Sequence, residues 1–319
     1  MWDAYSGSIR ATYSPINQLD ELESPTVVQF LHNGQRLVSG GFRTDRMLQL
    51  FDVNRPGKVP YQVLKLGKTR RSRDGQKGLV SCIATTSSTS SNHLMAVGTY
   101  APGSIYLYDD RCHGYEEQAS ILLTGGTCIV GHGRSFGRKA KRYHQILDDN
   151  LNFKKAKIQW YQDRARPGVT QLEFGDGDDN YYQLFSTSRR SNAVLQWDLR
   201  KLTSGSGATC GVASFATVNE TNQRLEFHID SSKNHLWVGG QDCKVRAYSI
   251  ATQKLLSTLE LQEVANGVSL NKDGDKLAVV SGSRRFPSDA ELDPDNDDDT
   301  FMISDQDNGG HLQIYSVSV

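Results

Sequence analysis

The chain has 319 residues, enough for one large domain or two small ones. Its 36 basic residues are matched by 36 acidic ones, so no net field presses the whole molecule onto nucleic acid or membrane. Five cysteines, an odd number with no Cys-x-x-Cys pair, argue against a disulfide framework or zinc site and for a reducing compartment.

In chain order, Met1-Trp2-Asp3-Ala4-Tyr5 lacks the basic and apolar regions of a secretory signal. No later apolar run approaches the roughly 18 residues that a membrane span needs, so a cytosolic or nuclear protein is expected. Short strands then recur in threes. The first set is Val27–Phe30, Arg36–Gly40 and Met47–Asp52, and the second is Leu79–Ile83, Leu94–Gly98 and Ser104–Tyr108. The third is Val169–Phe174, Tyr182–Ser186 and Ala193–Trp197, and the fourth is Arg224–Ile229, His235–Gly239 and Lys244–Tyr248. The fifth is Gly267–Leu270, Lys276–Val280 and Leu312–Tyr315. Apolar and polar residues alternate along them with the period of two that strands require. Small residues close the second strand of most sets, which lets neighbouring sheets approach closely.

The third strand ends in an aromatic-acid pair: Phe51-Asp52, Tyr108-Asp109 and Trp197-Asp198, preceded by Trp2-Asp3. The pair degenerates to Tyr248-Ser249 and Tyr315-Ser316. Successive aromatic members are 49, 57, 89, 51 and 67 residues apart, and the two long gaps each hold an insert. A period near 50 with strands ending in Trp-Asp marks an all-β, WD-repeat β-propeller, a fold that mostly serves as a binding platform. A plain antiparallel sandwich does not account for the period. The chain is expected to be one propeller over residues 1–319, seven-bladed in full-length form, with N-terminal blades missing.

The first insert spans residues 131–166. It holds ten basic residues, among them Arg138, Lys139, Lys141 and Arg142, against three acids, with Tyr143, Phe153, Trp160 and Tyr161 interleaved. Three readings stand for it: a single-stranded RNA contact, a solvated loop, or a retained intron, since Thr124-Gly125-Gly126 would run smoothly into Gly168. The second insert, 287–308, carries nine acids and no base, which suits a disordered loop. Its spacing lacks the glycine and terminal glutamate of an EF-hand, so neither calcium nor any other metal or cofactor is expected. Gly133-Arg134-Ser135-Phe136-Gly137 matches a nucleophile elbow, which leaves a serine hydrolase using Ser135 as a remote alternative. No βα alternation supports it, so no catalytic residue and no small-molecule substrate are expected. The pairs Arg189-Arg190 and Arg284-Arg285 follow second strands, where equivalent turns share one face. They read either as a positive rim for phosphates or as ordinary exposed turn charges.

Several stretches resemble the telomerase Cajal-body WD-repeat family and its fungal, splicing-associated relatives. The selective ones are Ala193–Arg200, with Trp197 and Asp198, then Thr221-Asn222-Gln223-Arg224 and Asn266-Gly267-Val268-Ser269-Leu270. The resemblance implies a nuclear, non-enzymatic RNA-binding scaffold. Its partners would be small nuclear, small Cajal-body or telomerase RNA and ribonucleoprotein or spliceosomal proteins. No membrane is implied, and a protein-only nuclear scaffold is the alternative. By residue chemistry, Gly267 is expected to permit a tight turn and Arg224 to bridge blades through several hydrogen bonds.

Overall fold

The computed structural model describes residues 1, 3, 5–17, 19–31, 34–41, 48–64, 79–86, 93–100, 103–109, 119–124, 127–132, 143–147, 153–157, 168–175, 182–200, 211–230, 234–282 and 310–317. In the strands between Ala119 and Lys157 it describes the backbone alone. Two compact units emerge, Met1–Arg224 and Leu225–Val319.

The first unit holds three antiparallel sheets, each running in chain order. One contains β1 (Val27–Leu31), β2 (Arg36–Gly40), β3 (Leu48–Asp52) and β4 (Gln62–Leu64). The next contains β5 (Val80–Thr85), β6 (Leu94–Thr99), β7 (Ser104–Asp109) and β8 (Ala119–Thr124), and continues through β9 (Thr127–His132), β10 (Tyr143–Leu147) and β11 (Phe153–Lys157). The last contains β12 (Val169–Phe174), β13 (Gln183–Ser188), β14 (Ala193–Asp198) and β15 (Gly211–Ala216). Strand neighbours in sequence are neighbours in space, the meander that antiparallel pairing allows.

Sheets pack face to face through alternate residues of their inner strands. Val80, Met95, Val97 and Tyr106 meet Val38, Leu48 and Leu50 between the first two sheets. Val169, Leu172, Leu184 and Trp197 meet Cys82, Ile105 and Leu107 between the second and third. Each such large side chain, once fully buried, contributes about 1.5–3 kcal/mol. The small residue at the end of each second strand sets the approach. A Cβ on Gly40 would stand 2.6 Å from Val80 Cγ1, and one on Gly98 would stand 2.6 Å from Cys82 Sγ and 2.9 Å from Val169 Cγ1. Thr26 ties the first seam, its hydroxyl set between the carbonyls of Gly40 at 3.1 Å and Val80 at 2.6 Å.

The second unit holds one four-stranded sheet, β16 (Phe227–Asp230), β17 (His235–Gly239), β18 (Lys244–Ser249) and β19 (Leu255–Glu260). Beside it lies a three-stranded sheet, β20 (Ala265–Leu270), β21 (Lys276–Ser281) and β22 (His311–Ser316). Trp237, Val245, Ala265, Val268, Leu277 and Val279 form their shared core.

All five sequence-derived triplets appear as strands one to three of a sheet. The solvated-loop reading of residues 131–166 does not hold for 143–147 and 153–157. They form a hairpin, registered from Tyr143↔Lys157 to Leu147↔Phe153, that extends the second sheet. The acidic segment 287–308 lies outside the described residues.

Candidate nucleic-acid interface

The aromatic-acid pair works at the end of each sheet where strand three exits. Its aromatic member is core: Phe51, Tyr108 and Trp197 are almost completely buried and Tyr248 nearly so. The Trp197 indole N–H donates to the buried Ser186 hydroxyl at 2.8 Å, tying strand three to strand two. The acid closes the following turn by accepting backbone N–H bonds, as short polar side chains do. Asp3 accepts from Tyr5 at 2.9 Å and Ser6 at 3.1 Å, Asp52 from Asn54 at 2.8 Å, and Asp198 from Arg200 at 3.1 Å. Those N–H bonds hold the Asp3 carboxyl below its ordinary range. Ser249 keeps a weaker version, accepting from Thr252 at 3.3 Å. Asp198 also receives the Arg200 side chain at 3.1 and 3.0 Å, with that guanidinium 3.5 Å over the Tyr182 ring. These residues are structural.

The opposite end of the third sheet carries a half-buried arginine, Arg189, and an exposed one, Arg190. Arg189 and Arg190 form the β13–β14 turn, and Arg190 sits at φ +51°, the left-handed conformation that a tight turn demands. The Arg189 N–H donates to Gly168 O at 2.8 Å and the Arg190 N–H to Thr221 O at 3.1 Å. The turn is therefore pinned on one side to the entry of β12 and on the other to the 217–224 connection. The Arg189 guanidinium lies 4.1 Å over the ring of Tyr100, which follows β6 at the equivalent turn of the second sheet. Gly168 makes room for that ring, since a Cβ there would stand 2.9 Å from Tyr100 Cα. Two equivalent turns of the first unit thus meet.

The 217–224 connection adds the family-motif residues. Asn219 is buried, its N–H donating to Asn192 Oδ1 at 2.9 Å. Thr221 Oγ1 donates to Asn219 Oδ1 at 3.3 Å and accepts from the Gln223 N–H at 3.2 Å. Asn222, Gln223 and Arg224 are exposed beyond this brace. Arg224 reaches back far enough for its charge to act on the Cys82 thiol of β5. Burial nevertheless pushes that thiol up to about 12. Two donors here have no acceptor: Arg189 Nε and Asn219 Nδ2. Both atoms are buried, so neither is open to a ligand; a planar guanidinium stacked on a ring suits phosphate oxygens or a base edge through its other N–H groups.

In the second unit, Asn266 holds the equivalent end. Its side chain donates to Gly282 O at 2.7 Å and its carbonyl accepts the Glu226 N–H at 2.9 Å. Gly267 is not in a turn, which corrects the sequence reading. It lies inside β20, at a register shift between Ala265 and Gly267 that leaves Asn266 as the extra, bulged residue. The Arg246 guanidinium makes a two-pronged pair with Asp242 in the β17–β18 turn, Nη1 to Oδ1 at 3.0 Å. That pair holds the Asp242 carboxyl below its ordinary range.

Arg138, Lys139, Lys141, Arg142, Arg284, Arg285 and Ser135 lie outside the described residues. Sequence reading missed Tyr100 and Asn219. Tyr100 was findable, because it follows its second strand in the same place as Arg189.

Blade-like antiparallel meanders in series, with buried third-strand aromatics and acid-closed turns, define a WD-repeat β-propeller protein. No family model matches the chain. Its sequence is similar to the telomerase Cajal body proteins. It is 27% identical over 289 residues to the Telomerase Cajal body protein 1 homolog of Drosophila melanogaster, covering 90% of this chain and 41% of the relative. To Telomerase Cajal body protein 1 of Mesocricetus auratus it is 29% identical over 298 residues, covering 90% and 43%. To that of Homo sapiens it is 27% identical over 299 residues, covering 91% and 43%. The chain thus spans less than half the length of these relatives. Among solved structures, it resembles a chain of the mitotic checkpoint complex, with TM-score 0.56, 16% identity and coverage of 88% and 63%. A chain of the COPII outer coat vertex on membranes gives TM-score 0.51, 15% identity and coverage of 80% and 54%. At such identities the structural likeness concerns the fold alone.

Proposed function

We propose that the chain is a nuclear, non-enzymatic WD-repeat scaffold that binds small structured RNA. The RNA class is small nuclear, small Cajal-body or telomerase RNA, acting with ribonucleoprotein or spliceosomal proteins. The observation that carries this reading is similarity to telomerase Cajal body proteins over nine-tenths of the chain. The arginines at that end of the third sheet, Arg190 and Arg224 exposed and Arg189 half-buried, supply the chemistry. Arg189, Arg190 and Arg224 take phosphate oxygens, and a loop base stacks beside the Arg189–Tyr100 pair. Arg138, Lys139, Lys141, Arg142, Arg284 and Arg285 add further phosphate contacts.

Crosslinking and sequencing of RNA from a tagged copy at its native locus tests this. Enrichment of small nuclear or telomerase RNAs, lost in an R189A/R190A/R224A variant that still melts cooperatively, is the expected result. An empty library, with proteins still co-purifying after nuclease, overturns RNA binding and leaves a protein-only scaffold.

A further inference from the structure

Among the described residues the second sheet is the longest, and its extra length is basic. Beyond β8 it continues through β9, β10 and β11. The strands from β8 to β11 carry three lysines, two histidines and no acid. All three lysines, Lys154, Lys155 and Lys157, lie on β11, the outermost strand. The register sorts the β10–β11 hairpin into two faces, because alternate residues of a strand, and antiparallel partners, share a face. Lys157 pairs with Tyr143, Lys155 with Gln145 and Phe153 with Leu147. Tyr143, Phe153, Lys155 and Lys157 therefore share one face, while Lys154, Ala156, His144 and Ile146 share the other. The first face continues inward through Cys128, Leu123 and Ile121 to Ile105, on the side where the inner strands meet the third sheet. β11 also comes alongside β15, the outermost strand of that third sheet, which is uncharged.

We propose that the Lys155–Lys157 face of this hairpin is a second binding site, for single-stranded RNA, apart from the Arg189 turn. It rests on the RNA-binding reading above and adds the place that takes an unpaired segment. Lys155 and Lys157 stand two residues apart, about 6.6 Å along a strand, close to the step between successive phosphates of an extended nucleic-acid strand. Their ammonium groups take those phosphates as point charges, without regard to sequence. Tyr143 and Phe153 place an aromatic ring at each end of the same face, for unpaired bases to stack on. Aromatic residues on neighbouring strands are how sheets hold splayed bases. A duplex keeps its base faces within its own stack, so it gains from the lysines and nothing from the rings. An acidic peptide likewise matches the lysines alone, and the paired aromatics decide for RNA. The uncharged β15 alongside adds no acid to repel the backbone.

The test measures binding of a short fluorescent oligouridylate to the full chain across a salt series, in the parent and in an R189A/R190A/R224A background. The expected result is residual binding in that background. Adding Lys155→Gln and Lys157→Gln then lowers the slope of log affinity against log salt by about 0.7 for each lysine. Adding Phe153→Ala weakens binding about fivefold or more at an unchanged slope. Lys154→Gln, on the other face, leaves the slope as it was. Photocrosslinked peptides from the unsubstituted parent contain Tyr143 or Phe153, a readout that does not depend on any variant folding. Loss of all binding in the arginine variant, while the parent binds, overturns the hairpin site and leaves the arginine site standing. An equal slope change for Lys154→Gln, crosslinks confined to other peptides, or duplex RNA or polyglutamate bound as tightly as the oligouridylate also overturns it. A parent that binds no RNA overturns both readings.

Discussion

Trp197 is fully buried, and its one polar atom is used. Trp197→Phe keeps most of the apolar contact but strands the Ser186 hydroxyl, at a cost of about 1–3 kcal/mol plus that of a small cavity. Urea unfolding of Trp197→Phe, Ser186→Ala and the double variant should show a coupling of about 1 kcal/mol; additive losses would mean the bond contributes nothing. Gly98→Val should be worse than either, because Cys82 and Val169 already occupy the space. Its midpoint denaturant concentration is expected to fall by the equivalent of about 2–4 kcal/mol, through overpacking and splaying of the second seam. Asp242 gives a pH signature. Its folded pKa is depressed, chiefly by the hydrogen bond from Arg246. The pair's contribution is therefore complete above the unfolded value of 3.8 and is lost as pH falls through the lower folded value. The stability gap between the parent and Asp242→Asn should stay constant above about pH 5 and close below it. A gap that persists in acid would show that the loss is one of packing.

At the scale of elements, the first three strands of every sheet were legible in the sequence, the most deeply buried ones most sharply. β2, β6 and β17 are buried at every residue after the first, so their mostly apolar runs stand out from the flanking sequence. The fourth strands were not legible. β4 is three residues long, and β19 exposes Leu255 and Leu256 while burying little. Such outer strands form because strand three offers a ladder, and their own pattern carries no comparable signal. β10 and β11 were hidden for the same reason, and the three lysines of β11 resembled a loop. They lie at the far edge of the second sheet, beyond β8 and β9. A chain joining Gly126 directly to Gly168 should therefore still express soluble and melt in one cooperative step, because outer additions tolerate loss better than inner strands. Aggregation or a broad, gradual melt would show that these strands carry the sheet.

For the whole molecule, zero net charge means that attraction for RNA must come from local groups. If Arg189, Arg190 and Arg224 each meet a phosphate, the plot of log affinity against log salt should be steep. Each Arg→Ala should lower its slope by about 0.7–1, weakening all RNA sequences alike. A slope unchanged in the triple variant would remove these residues from the interface. The period of aromatic-acid pairs made the repeat fold readable from one sequence, and the Asn-Gln-Arg and Asn-Gly-Val-Ser stretches made the likeness to the telomerase Cajal body proteins readable. The Arg189–Tyr100 contact was not readable, because its partners are 89 residues apart and meet only when two sheets stack. Gly267 was misread because a glycine at a strand bulge and a glycine in a turn look identical in sequence.

Cys82 lies within the seam between the second and third sheets, beside Gly98 and Val169. With its thiol pushed up to about 12, it carries almost no thiolate at neutral pH while the seam is shut. In a chain whose other cysteines are serine, an alkylating reagent therefore reaches Cys82 only when those two sheets part. Its labelling rate would serve as a clock for local opening. Compared with the rate of global unfolding, it would reveal whether RNA capture at the adjoining arginines holds the seam closed.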